Sequence, residues 1–94
     1  MKNKTENQTV RTIEMTFPDY HTEEVARQIV DYLQAETRGT GIAAVQYNRS
    51  EVTQWGTKIH MAVTTTTKAK DEAVMRMLLN GYKRARNTFE TIAP

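Results

Sequence analysis

Four groupings of side chains could carry chemistry in this chain. Gly39-Thr40-Gly41-Ile42-Ala43-Ala44 matches G-x-G-x-x-A on paper. A phosphate cradle of that type must follow a strand and open a helix, so that backbone N–H groups face the pyrophosphate. Here a helical pattern precedes the glycines and a strand pattern follows, so they read as a helix stop and a turn. Asp19, His21, Glu23 and Glu24 bear metal-ligating atoms within one short segment. Carboxylates in the first turn of a helix are already explained by its dipole, and no second cluster supplies further ligands, so no metal is expected. His60, on a strand opposite Glu14 or a threonine, could act as a general base, although a lone histidine on the exposed face of a sheet is usually a surface residue. The chain has no cysteine, however, and Ser50 is its single serine, which leaves no nucleophile arrangement to serve. No catalytic residue and no cofactor is assigned, and a non-enzymatic role is expected.

The fourth grouping is basic. Lys58, His60, Arg76, Lys83, Arg84 and Arg86, with Lys68 and Lys70 nearby, could contact phosphates, while Tyr47, Trp55 and His60 could stack on bases. On a helical wheel Arg84 and Arg86 fall about 160° apart, and Glu72 and Glu90 sit between the other cations. Phosphate recognition favours an uninterrupted basic stripe. A solvated helix face is the preferred reading, and nucleic-acid binding is the alternative.

Ninety-four residues fit one domain with a modest core. Hydrophobic residues make up 38% and charged residues 26%, the balance of a folded soluble chain. Without cysteine there are no disulfides and no thiolate metal sites. No apolar run reaches the roughly 18–20 residues that span a bilayer, and the first ten residues lack the apolar stretch of a secretory signal. No membrane partner and a cytoplasmic location are therefore expected. The net charge of +2 is uneven: residues 1–38 hold five basic and seven acidic side chains, residues 39–94 eight basic and four acidic.

The elements that must position these groups can be read in order. Residues 1–8 are polar and aperiodic, and read as a flexible N-terminal arm ahead of a single α+β domain over residues 9–94. Residues 9–17 alternate, with Ile13, Met15 and Phe17 on one side, and Pro18 stops the strand. Thr22 is the expected N-cap of an amphipathic helix carrying Val25, Ala26, Ile29, Val30 and Leu33 on one face, with Gly39 or Gly41 ending it. Residues 42–47 and 57–65 read as two strands joined by a polar segment over residues 48–54. Ala43, Val45 and Tyr47 are the favoured inward set of the first, Ile42 and Ala44 the alternative. In the second, Trp55, Ile59, Met61 and Val63 share a parity, and the threonine run 64–67 leads to the cap of the last helix. Residues 68–92 then carry one apolar stripe, Val74, Leu78, Tyr82, Ala85, Phe89 and Ile92, and read as a helix of roughly 25 residues. Gly81 inside it signals a close approach by another backbone, an interruption at Asn80-Gly81 being the alternative. Glu72 and Arg76 are spaced as an i,i+4 ion pair.

The order β-α-β-β-α with a right-handed crossover predicts a two-layer α+β sandwich: a three-stranded mixed sheet ordered 1-3-2 with two helices on one face. In architecture it is similar to a ferredoxin-like fold without the last strand. Such a sheet leaves the first strand at an edge, and a helix about 37 Å long would overhang strands of about 25 Å. Ile13, Trp55, Phe89 and Ile92 are accordingly the candidate protein interface, the alternative being that the N-terminal arm folds back over the edge and Phe89 packs within its own chain. Trp55 reads either as an exposed anchor or as a cap on the core. The expected role is a homodimeric protein-interaction module, a regulator, adaptor or inhibitor that occupies a surface of another, unidentified protein.

Overall fold

A computed structural model describes residues 8–66 and 69–93 of the chain. The expected N-terminal arm falls outside the described residues except for its last position, and Lys68 falls outside them too. The described elements are β1 (Thr9–Phe17), α1 (Glu23–Glu36), β2 (Ile42–Thr53), β3 (Gly56–Thr65), α2 (Asp71–Ala85) and a 3-10 turn, Arg86–Thr88. No helix among the described residues is long and apolar enough to cross a membrane.

Local chemistry accounts for α1. Thr22 caps it through a 3.2 Å bond from the Val25 N–H to its hydroxyl, and Glu23 and Glu24 occupy the first turn. Thr37 closes the last turn by donating its hydroxyl to the Leu33 carbonyl at 2.7 Å, and the chain turns away through Gly39 and Gly41, both with positive φ. The five expected inward residues of α1 are all buried.

The sheet has the expected order β1-β3-β2, but it is antiparallel throughout rather than mixed. β2 turns back on itself into β3, and β3 runs antiparallel to β1 as well. The parallel relation that the α1 crossover creates, between β1 and β2, therefore spans the intervening β3 and forms no ladder. Ile13, Met15 and Phe17 of β1 and Ile59, Met61 and Val63 of β3 join one cluster with the buried residues of both helices.

β2 departs from expectation twice. The polar residues 48–53 continue the strand instead of forming a connector, and only Gln54 and Trp55 remain in the turn. Polar composition there marks a strand whose faces are largely wet, not a loop. The strand also carries register irregularities between Ile42 and Ala44 and between Tyr47 and Arg49. The first reverses the parity, so that Ile42 and Val45 are both buried while Ala43 is exposed. Neither single inward set was complete.

The last helix is shorter than its apolar stripe. α2 stops at Ala85, whose carbonyl accepts the Thr88 hydroxyl at 2.7 Å, and after the 3-10 turn Phe89 is extended. Asn87 and Thr88 are weak helix formers, and leaving the helix folds Phe89 back onto the chain's own rings. At about 22 Å, α2 is shorter than the roughly 33 Å of β3, so the expected overhang does not exist. The helix does run unbroken through Gly81, where a Cβ would lie 2.9 Å from Leu33 Cδ2. The close neighbour is thus a side chain of α1 rather than a backbone. Lys70 occupies the N-cap of α2 without a side-chain bond; Thr64 and Thr65 of the threonine run belong to β3 and Thr67 lies outside the described residues, and Glu72 and Arg76 form no ion pair among the described residues.

Candidate functional site

Pro18 ends β1 and sends residues 18–22 across the end of the sheet, where buried Thr57 at the start of β3 holds them. Its hydroxyl donates to the Asp19 carbonyl at 2.8 Å and accepts the His21 N–H at 2.9 Å. Gly56, with φ of 135°, lies so close to the Phe17 carbonyl that any Cβ would collide with it. The β2–β3 turn is consequently pressed against the end of β1. Thr53 stiffens the turn from within, donating its hydroxyl to the Gly56 carbonyl at 3.0 Å and accepting the Trp55 N–H at 3.1 Å.

Tyr20 ties this turn to the C-terminal segment. Its hydroxyl donates to the Gln54 carbonyl at 3.0 Å, and its own carbonyl accepts the Ile92 N–H at 2.8 Å. Trp55, 72% exposed, and Ile92, 41% exposed, are thereby held at one end of the molecule with Tyr20 between them. Beside them opens a cleft of about 440 Å³ lined by Asp19, Arg86, Asn87, Phe89 and Thr91.

Under this surface runs a continuous polar chain. Arg86 forms a forked pair with Asp19, at 2.6 and 2.9 Å. Asp19 accepts the Tyr82 hydroxyl at 2.8 Å, Tyr82 Oη meets His21 Nε2 at 2.9 Å, and His21 Nδ1 donates to the Glu90 carbonyl at 2.8 Å. The Arg86 guanidinium holds the Asp19 carboxyl below the usual carboxylate range. Burial, reinforced by Asp19, pushes the Tyr82 hydroxyl well above the usual tyrosine range, so it remains a proton donor. His21 and Tyr82 are fully enclosed, and Phe89 stacks on Tyr82 at 5.9 Å and meets the edges of His21 and Tyr32. Neither the imidazole nor the phenol is open to solvent. The chain of bonds is a clasp that fixes the segment after α2 to the start of α1.

The four proposed interface residues therefore have different fates. Trp55 and Ile92 are brought to one surface, Phe89 forms a wall of the cleft from its half-buried position, and Ile13, 3% exposed, lies in the core. Among the described residues no strand pairs with the outer edge of β1 at Ile13. Trp55 takes no part in the core, so its reading as a cap on the core does not hold.

The basic candidates are scattered. Arg84 pairs with Glu36 at 2.6 Å, Arg86 with Asp19, and Lys58 approaches Glu14 at 3.8 Å. His60 does face Glu14 in the register, but it is 7% exposed rather than a surface residue, because Glu14 and Glu51 close over its two edges at 3.5 and 3.9 Å. Arg76 and Lys83 are exposed on α2. Tyr47 lies beneath the Arg27 guanidinium, 4.5 Å from its ring centre. Among the described residues no three His, Cys, Asp or Glu side chains converge on a metal position, and Asp19 and His21 face Arg86 and Tyr82 instead.

Sequence reasoning missed the clasp. Its one legible sign was a tyrosine on the buried stripe of α2, since a buried phenol needs a polar partner. Asp19 and His21 supply it from 63 and 61 positions away. No known protein family, curated protein or solved structure matches this chain.

Proposed function

We propose that the chain is a small non-enzymatic protein-interaction module that works as a regulator, adaptor or inhibitor by seating its Trp55 end on another protein. One observation carries the reading: a large aromatic side chain stands 72% exposed on a two-residue turn whose backbone is held by Thr53 and Tyr20. An indole carried on a fixed backbone loses little main-chain freedom on binding, and tryptophan is enriched at interface hot spots. Tyr20, Ile92 and the neighbouring cleft extend the surface around it. We read the layering as a two-layer sandwich, ferredoxin-like without its last strand, and the location as cytoplasmic, which cell fractionation would test. Self-association belongs to the same reading, now supported by the open edge of β1 and no longer by an overhanging helix.

The test compares wild type and Trp55→Ala as bait in a host extract, with and without nuclease. A protein captured by wild type, lost with Trp55→Ala and indifferent to nuclease is the expected result. Against the purified partner, affinity should fall by about 30-fold or more, the scale of a hot spot. Capture that persists in Trp55→Ala, or that disappears with nuclease, would overturn the proposal. Nucleic-acid binding is not favoured: four of its six candidate residues, Lys58, His60, Arg84 and Arg86, sit beside carboxylates, and His60 is also enclosed.

A further inference from the structure

The two edges of the sheet are not alike. β2 carries two register irregularities, the device by which sheets blunt an exposed edge. β1 has none: its nine residues pair with β3 without interruption, from Thr9↔Thr65 to Phe17↔Thr57. Its outward-facing positions Val10, Thr12, Glu14 and Thr16 are all exposed, and three of the four are β-branched.

We infer that β1 pairs antiparallel with β1 of a second copy, centred on Ile13, to make one continuous six-stranded sheet. This extends the reading of the chain as a self-associating interaction module. A two-fold axis normal to the sheet allows only registers in which residue numbers across the pair sum to an even value, since opposed residues must share a face. The register summing to 26 sets Thr9 against Phe17 and is the one that pairs the whole of β1. It also suits the side chains. Thr12 faces the partner's Glu14 twice, as hydroxyl to carboxylate, and Val10 faces the partner's Thr16. Sliding by one pair in one direction opposes Glu14 to Glu14; sliding the other way sets Val10 against Glu14 and leaves end residues unpaired. The occupant is a second copy because the one register that pairs all nine residues of this edge also keeps the two Glu14 carboxylates apart and sets each against a Thr12 hydroxyl. Antiparallel pairing would also carry the two Trp55 ends to opposite ends of the dimer, leaving both available.

Sedimentation equilibrium on wild type, Thr12→Lys and Thr12→Glu tests the register. Position 12 is exposed, so both variants should keep the wild-type far-UV circular dichroism. In the inferred pairing Thr12→Lys creates two Lys–Glu contacts and should tighten the dimer about three- to tenfold, while Thr12→Glu opposes carboxylates twice and should weaken it at least as much. Raising salt should shrink both changes. Trp55→Ala should dimerise as wild type does. A chain that is monomeric up to its solubility limit, or a dimer weakened by both substitutions, as expected when position 12 faces itself, overturns the pairing. A monomer that still captured a Trp55-dependent partner would overturn the pairing and the self-association, and leave the proposed role of the Trp55 end standing.

Discussion

Tyr82→Phe isolates the clasp. The substitution keeps the ring that packs 4.6 Å from Phe17 and stacks on Phe89, and removes only the hydroxyl shared by Asp19 and His21. Two losses follow. Asp19 gives up one bond to a charged acceptor but keeps the Arg86 fork and is partly solvated, so its share is the smaller. His21 Nε2, in a residue 1% exposed, is left without a partner, and an orphaned buried polar atom costs about 1–3 kcal/mol. Together the expected loss is about 2–4 kcal/mol, a large part of the roughly 5–15 kcal/mol of a typical domain. For a chain of this length that lowers Tm by about 10–25 °C. Urea titration followed by far-UV circular dichroism is the assay, because Trp55 is already exposed and its fluorescence would report unfolding poorly. The midpoint should fall with an unchanged slope, since the surface exposed on unfolding hardly changes. A loss below about 0.5 kcal/mol, the scale of a neutral surface change, would refute the claim that this hydroxyl holds the two helices and the C-terminal segment together.

Two further outcomes follow from the same geometry. Gly56→Ala should cost about 2–5 kcal/mol, combining positive-φ strain with a collision at the Phe17 carbonyl, whereas Gly39→Ala, with open space around it, should cost only about 1–2 kcal/mol; paired urea titrations check the contrast. Acid should weaken the fold in a definite window. Asp19, bonded to Arg86, and Glu36, bonded to Arg84 and then Tyr32, both have folded-state pKa values below their unfolded ones. Their contribution is therefore present above about pH 4 and lost as pH falls through the depressed folded values. Urea midpoints should be level from pH 7 to about pH 5 and decline below about pH 4, and Asp19→Asn should flatten that decline. A midpoint that instead rose on acidification would contradict the assignment.

Periodicity and local chemistry determined a good deal by themselves. The alternation of Ile13, Met15 and Phe17, the Thr22 cap, the apolar face of α1, the strand order and the passage of α2 through Gly81 all depend on neighbours within a few residues or on handedness rules, so they could be read from the chain. Three features could not. The bulge at Ala43 that turns both Ile42 and Val45 inward, the continuation of β2 through residues 48–53, and the exit from helix at Ala85 are each decided by what a distant segment offers: the register of β3 for the first two, the rings of His21, Tyr32 and Tyr82 for the last. The candidate site shows the same division. An exposed Trp55 beside Gly56 was visible as a possibility, but its exposure was settled by the backbone contact between Gly56 and Phe17, and its meeting with Ile92 by the hydrogen bonds of Tyr20. A polar chain linking Asp19, His21, Tyr82 and Arg86 has no local signature, because its members come from opposite ends of the sequence and acquire their chemistry only where the fold buries them together.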